Sequence, residues 1–230
     1  SAFSNTSRRD SVNGAEALEA GREARAKRAG KRRKGADDQD GAPAEARAST
    51  TDPEARVMKM ADGGYRPAFN CQFVTDTHSG LVAAVAVDNV GSDMGKLAPM
   101  IEKLAEDYGR RPAEHLVDGG FAKLEDITLA GDAGVTVYAP VPVPRDKTRE
   151  RHAARPGDSR PVAAWRERMG RPEAQAIYRQ RASTAELVHA QARNRGFQRF
   201  LVRGLAKAKA VALWFALAHN MVRLWSLRPA

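Results

Sequence analysis

The sequence predicts an α/β fold, and three features indicate it. Apolar segments of strand length alternate with segments of helical periodicity between residues 65 and 139. An aspartate followed by two glycines comes directly after one of these strand-like segments. Two long helical segments then fill most of the chain beyond residue 172. The 230 residues are enough for one or two domains with a buried core.

The first predicted element is a β-hairpin. Residues 65–75 place Tyr, Pro, Phe, Cys and Phe at alternate positions, which is typical of a strand with one apolar face. Pro67 has no amide hydrogen and indicates that this strand begins at a sheet edge or is irregular there. A turn at 76–80 and a continuous apolar run at 81–87, typical of a buried strand, complete the hairpin.

A helix, a strand, a second helix and a strand follow the hairpin. Ser92 is predicted to cap a helix that continues to Tyr108 and ends at the sequence GRRP. A strand is predicted at 115–117, a short helix at 122–130 and a strand at 135–139. This order predicts a mixed sheet flanked by helices, RNase H-like, with its first strand missing and a helical C-terminal segment.

Two long helices are predicted near the C-terminus. They span residues 173–195 and 205–225, after a stretch that is dense in Arg and Pro. Trp214 and Trp225 in the last helix are expected to face the core, because the helix around them is apolar.

Composition divides the chain into four segments. Residues 1–48 are predicted to form a basic, poorly ordered or helical arm and linker. Residues 49–144 are predicted to hold the core, residues 145–171 an Arg/Pro-rich insertion, and residues 172–230 the C-terminal helices.

The charge is distributed unevenly. Residues 141–230 hold 19 basic and 6 acidic side chains, whereas residues 51–140 hold 8 basic and 14 acidic ones. The total of +10 indicates a polyanionic partner, or else only solvated faces of a basic protein. Cys71 is the single cysteine and excludes an internal disulfide, while no apolar run is long enough to span a membrane. A cytoplasmic location without a membrane partner is expected.

Two acidic residues are the candidates for chemistry. Asp118 lies where a strand ends at a Gly-Gly turn, which is where ligands gather in open α/β sheets; the alternative is a turn aspartate with local hydrogen bonds. Glu186 shares a seven-residue stripe with Arg179 and Arg193 in the predicted helix. It is either a metal ligand between two phosphate-binding cations or part of a surface ion-pair ladder.

Several blocks of the chain, in the same order, resemble insertion-sequence DDE transposases. LVDGGFAK at 116–123 is similar to the block that holds the second catalytic Asp of that family. STTDPEARVMKM at 49–60 and GGYRPAFNCQFVTD at 63–76 resemble the region after the first catalytic strand. Similarity to the C-terminal region lies in VTVYAPVP, YRQRASTAE, AQARNRG and LVRGLAKAKAVALWFALAHN.

The resemblance implies an RNase H-like fold and metal-dependent DNA strand cleavage and strand transfer. Asp118 is then the second acid and Glu186 the third, with Mg²⁺ or Mn²⁺ as the cofactor, since hard cations prefer oxygen ligands. The first acid is expected upstream of Ser1, which predicts a C-terminal portion or truncated copy that is inactive alone. Asp88, at the end of a predicted strand, is the candidate stand-in acid.

Basic residues near the third acid are the candidates for DNA binding. A signature common in the family is matched at Tyr178, Arg181, Glu186 and Arg193, but with four residues between Arg181 and Glu186 in place of three. Because an unbroken helix turns Arg181 about 140° away from Glu186, either the helix is irregular or Arg179 takes the role. Phosphate contacts are also expected from Arg195, Arg199, Arg203, Lys207 and Lys209.

The sequence therefore predicts a DDE transposase that acts on double-stranded DNA, at element ends and target. The alternative is a catalytically inactive DNA-binding remnant that relies on the basic C-terminal segment; a structural RNA-binding protein fits the charge but not the motif blocks. Self-association on DNA is expected from the resemblance, as is a bacterial cytoplasmic location at the nucleoid.

Overall fold

The computed structural model describes residue 49 and residues 51–60, 63–146 and 148–228. The arm predicted at 1–48 lies outside the described residues. Strands and helices are mixed along the chain, in agreement with the predicted α/β class. The strands within the described part are β1 (Arg56–Lys59), β2 (Tyr65–Ala68), β3 (Asn70–Thr75), β4 (Val82–Asp88), β5 (Glu114–Leu116) and β6 (Thr136–Tyr138). The α-helices there are α1 (Leu97–Tyr108), α2 (Leu124–Asp132), α3 (Arg160–Met169), α4 (Pro172–Asn194) and α5 (Leu205–Ser226).

The described strands pair two by two. β1 and β2 are antiparallel, β3 pairs with β4 as the predicted hairpin, and β5 and β6 are parallel. The parallel register aligns His115 with Val137, and Val117 extends the pairing by donating its N–H to the Tyr138 carbonyl at 2.9 Å. α2 connects these two strands, which makes a β–α–β unit.

The predicted strand at 65–75 is divided in the structure. β2 and β3 are separated at Phe69, and β2 pairs with β1, a strand that the sequence pattern did not predict. Pro67 lies in β2, where the edge position suits a residue without an amide hydrogen. The irregularity predicted near Pro67 corresponds to a change in pairing: β2 pairs with β1, whereas β3 pairs with β4.

The start of α1 differs from the prediction. Ser92 does not cap the helix, because its hydroxyl accepts the Met94 N–H, and α1 begins only at Leu97. Asp126 of α2 provides the cap: its carboxylate accepts the N–H groups of Leu97 and Ala98 at 3.1 and 3.5 Å. A cap supplied by another helix leaves no local sequence signal.

Helix α3 lies within the predicted insertion and was not predicted. Ser159 caps it by accepting the Val162 N–H at 3.4 Å, and Pro161 occupies its first turn. Trp165 on this helix is fully buried and donates its Nε1–H to the Ala139 carbonyl at 3.0 Å. That bond ties α3 to the chain just after β6.

The predicted long helices correspond to α4 and α5, but the orientation predicted for two tryptophans is wrong. Trp214 and Trp225 on α5 are 71% and 72% exposed. The buried positions of α5 are Ala208, Ala212, Ala216 and His219, and neither tryptophan lies on that side of the helix. Among the helices that the structure describes, none is long and apolar enough to cross a membrane.

The chain divides into two compact units. In the described part, the first comprises residues up to Asn70 together with 88–91 and 202–208. Within it, the carboxylates of Asp52 and Glu54 accept the N–H groups of Gly204 and Leu205, at 3.0 and 2.9 Å, and cap the start of α5.

The second unit comprises 71–87, 92–201 and the described residues from Lys209 onward. In this unit Asn220 of α5 exchanges two hydrogen bonds with the Val82 backbone, and Arg223 donates to the Ser79 carbonyl. The core of the unit contains apolar residues from α1, α2, α3, β6 and the chain around Val117.

Replacement of Trp165 tests this packing. Trp165→Phe leaves the buried Ala139 carbonyl without its donor, so we expect the free energy of unfolding to fall by about 1–3 kcal/mol. Urea denaturation measures the change. Trp214→Phe is the matched control on an exposed position and is expected to stay within about 0.5 kcal/mol of the original protein. Equal destabilisation of the two variants would contradict the assigned role of Trp165.

Candidate functional site

Asp118 lies directly after the parallel strand β5 and begins a short 3₁₀ helix at Gly119–Phe121. Its backbone is extended, and its Oδ1 accepts the Gly120 N–H at 2.8 Å. This local hydrogen bond fixes the direction of the carboxylate at the carboxyl end of the strand. The other oxygen, Oδ2, faces α4.

Gly120 lies close to two carboxylates. A Cβ at this position would lie 3.0 Å from Oδ1 of Asp118 and 3.6 Å from Oδ2 of Asp93. A side chain there would crowd the Asp118 carboxylate.

Glu186 lies on α4, and Arg181 links it to Asp118 by hydrogen bonds to both carboxylates. The Arg181 guanidinium donates through Nη1 to Glu186 Oε1 at 3.0 Å and through Nη2 to Asp118 Oδ2 at 3.3 Å. The Arg181 side chain is 21% exposed, less than either carboxylate. One cation thus bridges two acids from distant parts of the chain.

Arg181 contacts Glu186 although four residues separate them, so the alternative in which Arg179 contacts Glu186 in its place is wrong. α4 is continuous through this region, and Arg181 itself, not Arg179, contacts Glu186. The reason is the length of the side chains, which reach around the helix although the Cα positions point apart. Between them, Ser183 and Thr184 both bond back to the Gln180 carbonyl, a pattern that often bends helices.

Tyr178 borders the acidic pair. Burial raises the pKa of its hydroxyl, and the nearby carboxylates of Asp118 and Glu186 also act to raise the pKa, while Arg181 opposes them. Tyr178 therefore keeps its proton beside the two acids and the guanidinium.

Asp93 and Gln72 lie near Asp118, which the sequence did not predict. Asp93 lies between β4 and α1, and the Nε2 of buried Gln72 donates to its Oδ1 at 2.8 Å. The sequence signal that could have indicated Asp93 is an acid five residues after the end of β4. Asp88 was preferred as the candidate acid because it ends the strand itself. The pairing of β3 with β4 is what brings such loop residues to one edge.

The other predicted residues occupy different positions. Asp88 ends β4, and its Oδ1 accepts the Val90 N–H at 2.8 Å, as in a local turn. Arg179 and Arg193 are exposed on α4. The remaining predicted DNA contacts are also exposed, at Arg195, Arg199, Arg203, Lys207 and Lys209.

Asp118 and Glu186 both face the Arg181 guanidinium, each through a different nitrogen. Carboxylate oxygens are also the ligand type that hard divalent cations prefer. Within the described ranges, no group of three or more His, Cys, Asp or Glu side chains is placed to hold a metal.

The fold and the bridged acids define a mixed α/β protein with an anionic pair at a strand end. Comparison with protein families matches the family described as transposase DDE domain to residues 144–225, which include Glu186 and span α3, α4 and most of α5. Residues 144–225 are therefore similar to a transposase DDE domain, which supports the resemblance noted in the sequence. Neither the curated proteins nor the solved structures contain a match.

Removal of Arg181 tests whether its guanidinium competes with a metal ion. In Arg181→Met the two carboxylates lose their cation, so we expect the chain to bind Mn²⁺ about tenfold more tightly, as measured by calorimetry. Arg179→Met removes the same charge from an exposed position on the same helix and is expected to leave the affinity unchanged. Weaker Mn²⁺ binding by Arg181→Met would contradict the competition.

Proposed function

We propose that the chain provides the catalytic part of a DDE transposase, which cleaves DNA at element ends and transfers the strands to a target. The observation that carries the proposal is the convergence of Asp118 and Glu186 on one guanidinium in a chain whose residues 144–225 are similar to a transposase DDE domain. The order β3, β4, α1, β5, α2, β6 followed by helices in the described residues is compatible with an RNase H-like domain.

In this proposal Asp118 and Glu186 are the second and third acids and would hold divalent cations. Mg²⁺ or Mn²⁺ stabilises the attacking and leaving oxygens of a phosphodiester displacement when bound. Carboxylates suit these cations because hard metal ions prefer oxygen ligands. The extended backbone at Asp118 and the bond from Gly120 orient the first of these carboxylates before any ligand arrives.

Arg181 has two roles in this proposal. Without a metal it neutralises the acidic pair, and once a metal takes that place its planar guanidinium is available to a DNA phosphate. The arginine therefore changes partner without leaving the site.

Isosteric replacements test the acids. Asp118→Asn and Glu186→Gln, made in the full-length protein, are expected to lower Mg²⁺- or Mn²⁺-dependent nicking of element ends by about a hundredfold or more, since each removes a metal ligand. Nicking is measured on labelled end duplexes. Glu173→Gln, an exposed acid in the first turn of α4, is the matched control and should leave the rate unchanged. Full activity in either acid variant would show that the site is misassigned.

A second candidate function is DNA binding without catalysis, as in an inactive remnant. The observation that favours it is the series of exposed basic side chains along residues 195–209. Such residues contact phosphates and position DNA without selecting its sequence. The same contacts would serve the transposase on double-stranded DNA, where self-association on paired ends is also part of the proposal.

The salt dependence of binding tests these basic residues. Arg195→Ala with Arg199→Ala is expected to lower the slope of log K against log salt by about 0.9 for each phosphate that the protein no longer neutralises. Fluorescence anisotropy with a labelled duplex measures it. Arg111→Ala is the control, because Arg111 is paired with Glu102 on another part of the surface. An unchanged slope in the double variant would exclude this segment as the DNA-binding surface.

A further inference from the structure

One side of α5 is exposed and apolar over much of its length. Six large side chains on this side are between 46% and 72% exposed, and they fall within an arc of about 120° around the helix. These residues form the α5 apolar face: Leu213, Trp214, Leu217, Met221, Leu224 and Trp225. Contiguous apolar surfaces of this kind mark interaction sites.

The opposite side of α5 is fixed to the rest of its unit. Ala212, Ala216 and His219 are buried there. Asn220 exchanges two hydrogen bonds with the Val82 backbone, at 2.7 and 2.9 Å, and Arg223 donates to the Ser79 carbonyl. Because these contacts set the rotation of the helix about its axis, the α5 apolar face stays at the surface.

The spacing within the α5 apolar face suits a second helix. Trp214, Leu217, Met221 and Leu224 follow one another at intervals of three, four and three residues, and exposed Ala210 lies four residues before them. Alternation of three and four is the spacing at which one helix packs its side chains between those of another. The partner that fits this surface is therefore an α-helix with an apolar side of its own.

The α5 apolar face is large enough for a stable dimer. Given the exposed fractions and the size of leucine, methionine and tryptophan, its six side chains offer roughly 750 Å² of accessible surface. A protein–protein interface of standard size buries about 800 Å² on each partner. A single apolar helix from a second molecule would cover most of that surface.

The charges on α5 allow two copies of this face to meet. Between residues 210 and 225 the helix carries one charged side chain, Arg223, and its guanidinium is turned toward Ser79 of the same unit. Lys207, Lys209 and Arg228 lie beyond the two ends of the face. Like charges therefore do not oppose each other where the apolar side chains would pack.

The N-terminal segment of the chain does not offer a matching surface in its sequence. The large apolar residues among residues 1–48 are Phe3, Val12 and Leu18, which are far apart along the chain. Three such side chains are too few to cover six. A second copy of the chain brings a face of the same size and spacing.

We propose that the chain forms a two-fold dimer in which α5 packs against α5 of a second copy. The interface uses the same surface on both molecules, as two-fold symmetry requires. This inference rests on the proposed function, which includes self-association, and assigns that self-association to one surface.

Sedimentation velocity of the 230-residue chain, without DNA or metal, tests the proposal. The original chain is expected to dimerise as its concentration rises. Leu217→Glu places a charge within the apolar face of both copies, so we expect the dissociation constant to rise about a hundredfold or more. Leu129→Glu makes the same change at a 58% exposed position on α2 and is the matched control, expected to dimerise like the original chain. An original chain that stays monomeric, or unchanged dimerisation of Leu217→Glu, would overturn the interface.

Quenching of tryptophan fluorescence by acrylamide shows which surface is covered. Trp214 and Trp225 are expected to become shielded as the original chain dimerises, whereas Trp165 is buried in monomer and dimer alike. In Leu217→Glu the two exposed tryptophans should stay accessible at every concentration. Dimerisation that leaves them accessible in the original chain would place the interface elsewhere and contradict the proposal.

Vesicles of anionic lipid test the other class of partner for an apolar helix with basic residues at its ends. The tryptophans of the dimeric chain are expected to respond no further when vesicles are added. A chain that remains monomeric, and whose tryptophans are shielded only by vesicles, would show that the face binds lipid and would overturn the dimer.

The nicking assay distinguishes this failure from a failure of the proposed function. If the chain dimerises through α5 but Asp118→Asn and Glu186→Gln nick at the original rate, only the catalytic assignment is lost. If nicking depends on both acids while the chain stays monomeric, only the α5 interface is lost.

Discussion

Asp118 and Glu186 carry the same charge, come from different elements and face a single guanidinium. Two carboxylates gathered in one place repel each other, and a cation between them offsets that repulsion. Arg181 is that cation in the described chain, and its low exposure distinguishes it from the other arginines of α4. The position of α4 relative to the β5 strand end is what permits this contact, and the candidate chemistry depends on it.

The segment before α4 provides that position. Trp165 and Arg168 of α3 donate to the carbonyls of Ala139 and Val137, so α3 is held against β6 by hydrogen bonds as well as by packing. α4 begins three residues after α3 ends and packs against both α3 and β6. β6 therefore pairs with β5 and also orients α4, the helix that carries Glu186.

Much of the fold follows from local patterns in the sequence. The β3–β4 hairpin, the strands around Asp118 and the two long helices are predictable because their apolar periodicity is strong. The features that escape prediction depend on distant partners. Asp126 caps α1 from another helix, and α3 has only a short apolar stripe amid Arg and Pro.

The residues of the candidate site also divide into those that local sequence patterns predict and those that depend on distant partners. The position of Asp118 is predictable because a strand end and two glycines mark it locally, whereas Asp93 and the Gln72 side chain bonded to it come near that position only through folding. The alternative in which Arg179 takes the place of Arg181 is wrong because helical angles describe backbone directions and ignore side-chain reach. The prediction for Trp214 is wrong because an apolar helix does not show which of its faces is buried.

The proposed chemistry requires that a divalent cation binds between Asp118 and Glu186, in the position that the Arg181 guanidinium occupies when no metal is bound. Anomalous diffraction from crystals of the chain soaked in Mn²⁺ tests this most directly. We predict an anomalous peak within coordination distance of Asp118, with the Arg181 guanidinium moved away from both acids. A well-occupied Mn²⁺ elsewhere, with Arg181 still bridging Asp118 and Glu186, would contradict it.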